Sequence, residues 1–267
     1  MTKTTRRKVL TTIIAAGALL MLLPATSSAW APAGKAKIHP GVMTFTKGAQ
    51  CTSNFIFKRN GNTYIGQAAH CSGTGSANET NGCDAGSLPL GTKVRVEGAR
   101  RKGKIVYSSW IAMQRADETN GEACDYNDFA LIKLRQRDVK RVNPSIPVFG
   151  GPEGKGGAGF GDTVYTYGNS SIRGGQSELS PKQGRVVDRS PKGWSYDVYT
   201  QTPGIPGDSG SAFLNESGRA LGTLSTVAIA PLPGSNGVSS LVKELGYARN
   251  HGMSGLRVID GTRNFNP

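Results

Sequence analysis

Three side chains in this sequence have the types and settings needed for nucleophilic acyl transfer. Ser209 lies in Gly207-Asp208-Ser209-Gly210-Ser211, after a Gly/Pro-rich approach from Pro203. Glycines permit the tight backbone that exposes a side chain and lets a substrate come close. A serine hydroxyl is a poor nucleophile until a base takes its proton, and histidine is the side chain best poised for that near neutral pH. His70 closes Gly66-Gln67-Ala68-Ala69-His70 at the end of a predicted strand, with Cys71 beside it. Asp128 opens Asp128-Phe129-Ala130-Leu131-Ile132-Lys133-Leu134, a hydrophobic run in which an unpaired carboxylate is costly. A hydrogen-bonded histidine gives it a partner, and the carboxylate in turn orients the imidazole. Singly, each residue has an ordinary structural role: a turn serine, a core histidine, a turn-capping aspartate. Together they occur in the order His, Asp, Ser, one of the chain orders known for a triad.

The elements that must hold these residues are short and numerous. Runs rich in β-formers are Val42–Thr46, Thr52–Phe57, Thr63–Ala68, Lys93–Val96, Lys104–Tyr107 and Phe129–Leu134, then Thr163–Tyr167, Gln183–Val187, Ser195–Thr200, Ser211–Leu214 and Ala220–Ile229. Turn signals separate them, among them Arg59-Asn60-Gly61-Asn62, Gly150-Gly151-Pro152 and Pro203-Gly204. With 37 Gly and 14 Pro in 267 residues, a helical bundle is excluded in favour of an all-β sandwich or a pair of barrels. Alternating β and α units are missing, which argues against a parallel doubly wound sheet. One helix is predicted near the C-terminus, capped by Ser239 or Ser240, with Leu241, Val242, Leu245 and Ala248 on one face. Residues 72–92 and 109–124 read as long surface loops.

The N-terminus carries a basic Arg6-Arg7-Lys8 group, a 15-residue mostly apolar stretch from Val9 to Leu23, and small residues at Ser27-Ser28-Ala29. This pattern predicts a secretory signal over residues 1–29, exported by the Sec or twin-arginine route. No other segment reaches membrane-spanning length, so the mature form is expected to be soluble, without a span, and monomeric. The formal charge is +14; loss of Lys3, Arg6, Arg7 and Lys8 with no acid lowers it to +10. Such a chain is drawn weakly to anionic surface polymers of the cell wall. The charges look scattered along the sequence. Arg100-Arg101-Lys102 with Lys104 is the one dense run, and it reads as a solvated loop. No nucleic-acid-binding signature accompanies it, so no specific nucleic acid is expected. Cys51, Cys71, Cys83 and Cys124 read as two disulfides, with three pairings open. The lack of C-x-x-C and the presence of only three histidines argue against zinc, and no metal or cofactor is expected.

On Ala68-Ala69-His70-Cys71, Asp128-Phe129-Ala130-Leu131 and Gly207-Asp208-Ser209-Gly210, the chain resembles the chymotrypsin/trypsin-like family of serine peptidases, especially its secreted bacterial branch. The resemblance extends more weakly over about residues 40–230. It implies two six-stranded antiparallel β-barrels, roughly 41–140 and 141–250, followed here by a short C-terminal helix. Around this peptidase domain (41–250) lie a short N-terminal segment (30–40) and a tail (251–267). It implies Cys51–Cys71 and Cys83–Cys124 bridges, the first worth about 3 kcal/mol by loop-closure entropy. It implies a serine endopeptidase acting on protein or peptide substrates. Ser209 would be the nucleophile, His70 the general base and then acid, and Asp128 the orienter of the imidazole. The N–H groups of Gly207 and Ser209 would form the oxyanion hole. Asp125 is the second candidate for the orienting acid; Asp128 is preferred because it directly precedes the strand.

Departures from the family pattern bear on specificity and activation. Pro203 stands where the trypsin subgroup has an acid, which argues against cleavage after Lys or Arg. Ser225 falls at the substrate-backbone position, and Val227 stands where a Gly often sits, which narrows the pocket toward small aliphatic side chains. No Arg-Ile-Val-Gly-Gly activation site is present to free an N-terminus for Asp208; a cut at Lys37-Ile38 would release only residues 30–37, and an internal Arg or Lys is the alternative partner. Two rival readings differ in kind. An α/β-hydrolase needs the order Ser, acid, His, yet only His251 follows Ser209, with Glu216 and Glu244 but no Asp between them. A non-catalytic homologue binding a wall polymer or a protein has no need of all three triad residues.

Overall fold

In a computed structural model of the chain, residues 1–2, 30–75, 79–227 and 232–267 are described. Nearly all of the predicted signal, and the end of the Ala220–Ile229 run, lie outside the described residues. Among the described residues no helix is long and apolar enough to cross a membrane.

The first half of the chain supplies β1 (Met43–Thr46), β2 (Ala49–Thr52), β3 (Ile56–Arg59), β4 (Asn62–Gln67), β5 (Lys93–Val96), β6 (Gly103–Ser108) and β7 (Ala130–Lys133). The second half supplies β8 (Thr163–Tyr167), β9 (Pro181–Arg189), β10 (Ser195–Thr200), β11 (Ala212–Asn215), β12 (Ala220–Val227), β13 (Asn236–Ser240) and β14 (Arg257–Val258). The period-two pattern is plain in β5, where Val94 and Val96 are buried and Lys93 and Arg95 exposed. Strands β10-β13-β12-β11-β8-β9 close into an antiparallel six-stranded barrel. The others form an eight-stranded sheet in the order β14-β3-β4-β7-β6-β5-β1-β2.

One barrel is therefore closed as expected, and its companion is an eight-stranded sheet without a closed ladder. The predicted strand Thr52–Phe57 is divided at residues 53–55. Its first part, β2, pairs with β1, and its second, β3, pairs with β4. At the break Ser53 N–H donates to Val42 O and Asn54 N–H to Gly66 O, both at 2.9 Å, so the chain passes from one neighbour to the other. The tail adds β14 to the outer side of β3. Strand β13 was not legible beforehand. Asn236-Gly237-Val238-Ser239-Ser240 has almost no β-formers, yet it sits between β10 and β12 with all five residues buried.

Four short helices accompany the sheets: α1 (Ser109–Arg115), α2 (Gly121–Tyr126), α3 (Gln136–Val139) and α4 (Leu241–Asn250). The first two replace the loop expected over 109–124, since Trp110, Met113 and Ala123 turn inward and are buried. Helix α4 is the predicted C-terminal helix with one exchange. Leu241, Leu245 and Ala248 face the core, but Val242 is 38% exposed and Glu244 takes the buried face. Ser240 holds the N-cap position without a side-chain cap bond. Ile56, Ile65, Val94, Ile105 and Ile132 fill the N-terminal sheet, while Val164, Val198, Phe213, Leu221 and Val238 fill the barrel. A third cluster joins the two, with Phe57, Phe129, Leu214, Leu241 and Leu245. Each fully buried side chain of this size contributes about 1.5–3 kcal/mol. Both disulfides pair as the resemblance implied, Cys51 with Cys71 and Cys83 with Cys124.

Candidate active site

Asp128 is held by the residues on either side of it. The Ser109 hydroxyl donates to Asn127 O (2.6 Å) and accepts from Phe129 N–H (2.9 Å), while Ser109 N–H donates to Phe129 O (2.8 Å). The Phe129 ring is fully buried and meets Phe57 edge-on at 5.3 Å between centroids. The buried carboxylate accepts three hydrogen bonds: His70 N–H to Oδ1 (2.9 Å), and His70 Nδ1 and Ser225 Oγ to Oδ2 (both 2.6 Å). Asp125, the alternative orienter, lies exposed on α2.

Opposite charge decides the electrostatics of this pair. Burial works to raise the Asp128 pKa, but the charge of His70 and the bonds from His70 and Ser225 outweigh it, so the carboxyl lies below its ordinary range. For His70, burial works downward; the charge of Asp128 and the hydrogen bond to it prevail, and its pKa lies above 6.5. The His70 side chain keeps 26% of its surface exposed, against 4% for Asp128.

Ser225 owes its position to a bulge. The β12–β13 register shifts between Leu224, opposite Val238, and Thr226, opposite Gly237, leaving Ser225 out of the ladder with its hydroxyl aimed at Asp128. The sequence had suggested only a backbone role for it.

The loop carrying Ser209 is clamped from the N-terminal sheet by side chains that no motif announced. Gly207 O accepts from Gln50 Nε2 (3.1 Å) and Thr52 Oγ1 (2.8 Å), and Thr52 N–H donates to Ser209 O (2.9 Å). Thr52 adjoins Cys51, whose disulfide partner Cys71 adjoins His70, so β2 connects Ser209 and His70 through one residue and one bridge. Gly210, at φ +89°, packs on the same segment: a Cβ there would lie 2.4 Å from Thr52 O and 2.9 Å from Ala68 N. Any side chain would push the Ser209 turn away from β2 and from the segment between β4 and His70. Among the described residues no hydrogen bond joins Ser209 Oγ to the His70 ring.

The two peptide planes expected to form the oxyanion hole are both pinned. Pro206 O accepts from the buried Ser170 hydroxyl (2.5 Å), and Asp208 O accepts from Ser211 N–H (3.0 Å). In a trans peptide the N–H points opposite to the carbonyl. The Gly207 and Ser209 N–H groups therefore face away from these anchors, and among the described residues neither has a protein partner. Gly207 holds φ +97°, a conformation that favours glycine. Asp208 is buried, paired through both oxygens with the Arg173 guanidinium and at 3.2 Å with Lys182 Nζ. An internal cation pair thus takes the place of a new N-terminus.

Lys182 Nζ also donates to Pro203 O (2.8 Å). Val227 is 41% exposed at the end of β12, and a Cβ on Gly204, next to Pro203, would meet Val227 Cγ2 at 3.2 Å. The segments bearing the expected pocket residues Pro203 and Val227 therefore lie side by side. Cys51, Cys71 and His70 place two sulfurs and a ring nitrogen within 4.8 Å of one another, but the disulfide leaves no thiolate for a metal.

Behind Asp128 sits a second carboxyl. Glu244 of α4 is fully buried, and its Oε2 accepts from Thr223 Oγ1 (3.2 Å), which itself accepts from Asn54 Nδ2 (3.2 Å). Burial first, then the charge of Asp128, push its pKa well above 4.5. Folding therefore raises this group's proton affinity, and wild-type stability falls as pH rises from about 4.5 through the folded-state value. Glutamine keeps the shape and does not titrate. The melting temperature of Glu244→Gln, relative to wild type, is expected to increase as pH is raised from 4 to 9. Thermal melts across that range check it; a relative decrease would mean an ionised, stabilising Glu244.

Residues 53–222 match the family model for the trypsin-like peptidase domain. No curated protein matches the chain. Its structure is similar to that of protease A from Thermobifida fusca, at 17% identity, 84% of this chain, 99% of that one and a TM-score of 0.53. It is also similar to the Nocardiopsis protease, at 18% identity, 83% of this chain, 98% of that one and a TM-score of 0.50. At such identities the structural likeness speaks for the fold. The family match spans more than half of the chain and includes the segments bearing His70, Asp128 and Ser209; the chain belongs to the trypsin-like peptidase family and is a serine-type endopeptidase.

Proposed function

We propose that this protein is an exported endopeptidase in which His70, Asp128 and Ser209 act as one triad. The observation that carries this reading is the buried Asp128 carboxylate, which accepts from the backbone N–H and the Nδ1 of His70 and from Ser225. Such an arrangement fixes the tautomer with Nδ1 protonated and Nε2 free to act as a base. Ser209 Oγ attacks the substrate carbonyl carbon and its proton passes to His70 Nε2. The oxyanion is received by the Gly207 and Ser209 N–H groups. The intermediate collapses as the leaving amine takes that proton, leaving an acyl-enzyme. A water molecule then attacks, its proton passing to His70 and on to Ser209 Oγ as the acid departs.

The side chain before the cut is small or medium and apolar. Pro203 supplies no acid, Lys182 is occupied by Pro203 O and Asp208, and the Val227 side chain packs beside Gly204. Residues 1–29 act as the export signal, by the Sec or twin-arginine route, which agrees with two disulfides that need an oxidising compartment. Residues 30–40 form a short N-terminal segment, 41–250 the peptidase domain and 251–267 a tail, and the mature protein is a monomer.

The test is labelling of the folded full-length protein with a fluorophosphonate, followed by cleavage-site profiling on a peptide library. Covalent labelling at Ser209, lost in Ser209→Ala, is expected, with cleavage after small or medium apolar residues. A folded protein that neither labels nor cleaves would favour the non-catalytic binder.

A further inference from the structure

The basic run at residues 100–104, read from sequence as a solvated loop, is gathered by the fold into something larger. Lys93, Arg101, Lys102, Arg135, Gln136 and Arg137 line a surface concavity of about 570 Å³. These residues come from β5, the β5–β6 loop, and α3 with the Arg135 that precedes it, so only folding brings them together. The acid of α3 is spent on the scaffold. Asp138 is buried, and its carboxylate accepts from the backbone N–H groups of Arg100 (2.9 Å) and Arg101 (3.3 Å), fixing the basic loop against α3. Among the described residues none of the five cationic side chains forms a salt bridge.

The positive charge continues across the sheet. Lys93 pairs directly with Lys104 on β6, and Lys104 with Lys133 on β7, and all three are exposed. Like charges placed directly opposite destabilise a sheet. A surface serving only solubility gains nothing from that arrangement, whereas an anionic ligand turns the repulsion into attraction.

We propose that this cationic concavity, with its lysine ladder, is a binding site for a polyol-phosphate polymer. Arginine offers a planar fork that matches phosphate oxygens, and three arginines line the site. The charge spreads past the concavity along three adjacent strands, about 10 Å from first to third, further than one phosphate reaches. Gln136 offers an amide to hydroxyl groups between phosphates. Among the described residues no aromatic side chain lines the site, so none of them stacks a nucleic-acid base there.

The site lies away from the catalytic residues. Asp128 lies two residues before β7 and Lys133 ends it, so the length of that strand, about 10 Å from Ala130 to Lys133, separates the lysine from the segment bearing the carboxylate. Bound polymer leaves the cleft open, and the site tethers the enzyme without blocking it.

The test measures binding of fluorescently labelled poly(glycerol phosphate) to the full-length protein over a salt series. The triple variant Lys102→Ala/Arg135→Ala/Arg137→Ala is expected to bind at least about tenfold more weakly, with a log–log salt slope shallower by about 2, at ~0.7 for each phosphate no longer neutralised. The charge-preserving variant Arg135→Lys/Arg137→Lys is expected to retain the slope. Cleavage of a short uncharged peptide is expected to be unchanged in both, so binding and catalysis are read separately. Wild-type binding by the triple variant would overturn the site. Equal or tighter binding of an oligodeoxynucleotide with the same number of phosphates would overturn the choice of polymer.

Discussion

Ser209→Ala is expected to lower kcat for peptide hydrolysis by about 10⁴ to 10⁶, and His70→Ala by a similar factor. The double variant is expected to be little worse than either single one. The reason is mechanistic. Removing the nucleophile leaves the base with no proton to accept, and removing the base leaves the hydroxyl unactivated, so each deletion abolishes the same step. The residual rate is what the pinned Gly207 and Ser209 N–H groups and substrate binding provide. Steady-state kinetics on a peptide substrate, with all variants at matched folded concentration, make the measurement. Multiplicative losses in the double variant would show that the two residues act independently and would remove the triad reading.

Asp128→Asn is expected to cost on the order of 10⁴ in kcat near neutral pH. An asparagine can present its amide N–H to His70 Nδ1, which favours the tautomer with the proton on the Ser209 side. The pH dependence adds a second readout. In the wild type His70 must lose its proton to act as base, and its pKa lies above 6.5 because the charge of Asp128 overcomes the effect of burial. The acidic limb of kcat/KM is therefore expected to have its midpoint above 6.5, and to move downward in Asp128→Asn as the charge is removed. Stability follows by linkage. The part due to the depressed Asp128 pKa is present above 3.8 and lost as pH falls through the folded value. The part due to His70 is present below 6.5 and lost as pH rises through its raised value. Asp125→Asn, exposed on α2, serves as the control and is expected to leave both rate and profile near wild type. Loss of activity in that variant instead would reassign the orienting acid.

Much of the candidate site could be proposed from sequence because acyl transfer needs particular residue types in fixed local settings. A serine between glycines, a histidine ending a strand and an aspartate opening a hydrophobic one are local patterns, and chain order supplied the rest. Strand β5 was readable from alternation alone, and the disulfide pairs followed from the family resemblance. Local pattern misjudged Val242 and Glu244, because helical spacing places both near the apolar stripe and only the packing against the sheets decides which one turns inward.

From the chain alone came the mostly β class, an even Cys count suited to two bridges, and the residues proposed for acyl transfer. Those depend on side-chain chemistry and on periods of a few residues. The tertiary structure alone decided the partners of Asp208, the grip of Gln50 and Thr52 on the Ser209 loop, the bulge that turns Ser225 onto Asp128, and the convergence of Arg101, Lys102, Arg135 and Arg137. Each joins segments far apart in the chain, through hydrogen bonds and charges that act over a few ångströms. Such forces depend on distance in space, and separation along the chain says nothing about that until the strands have paired.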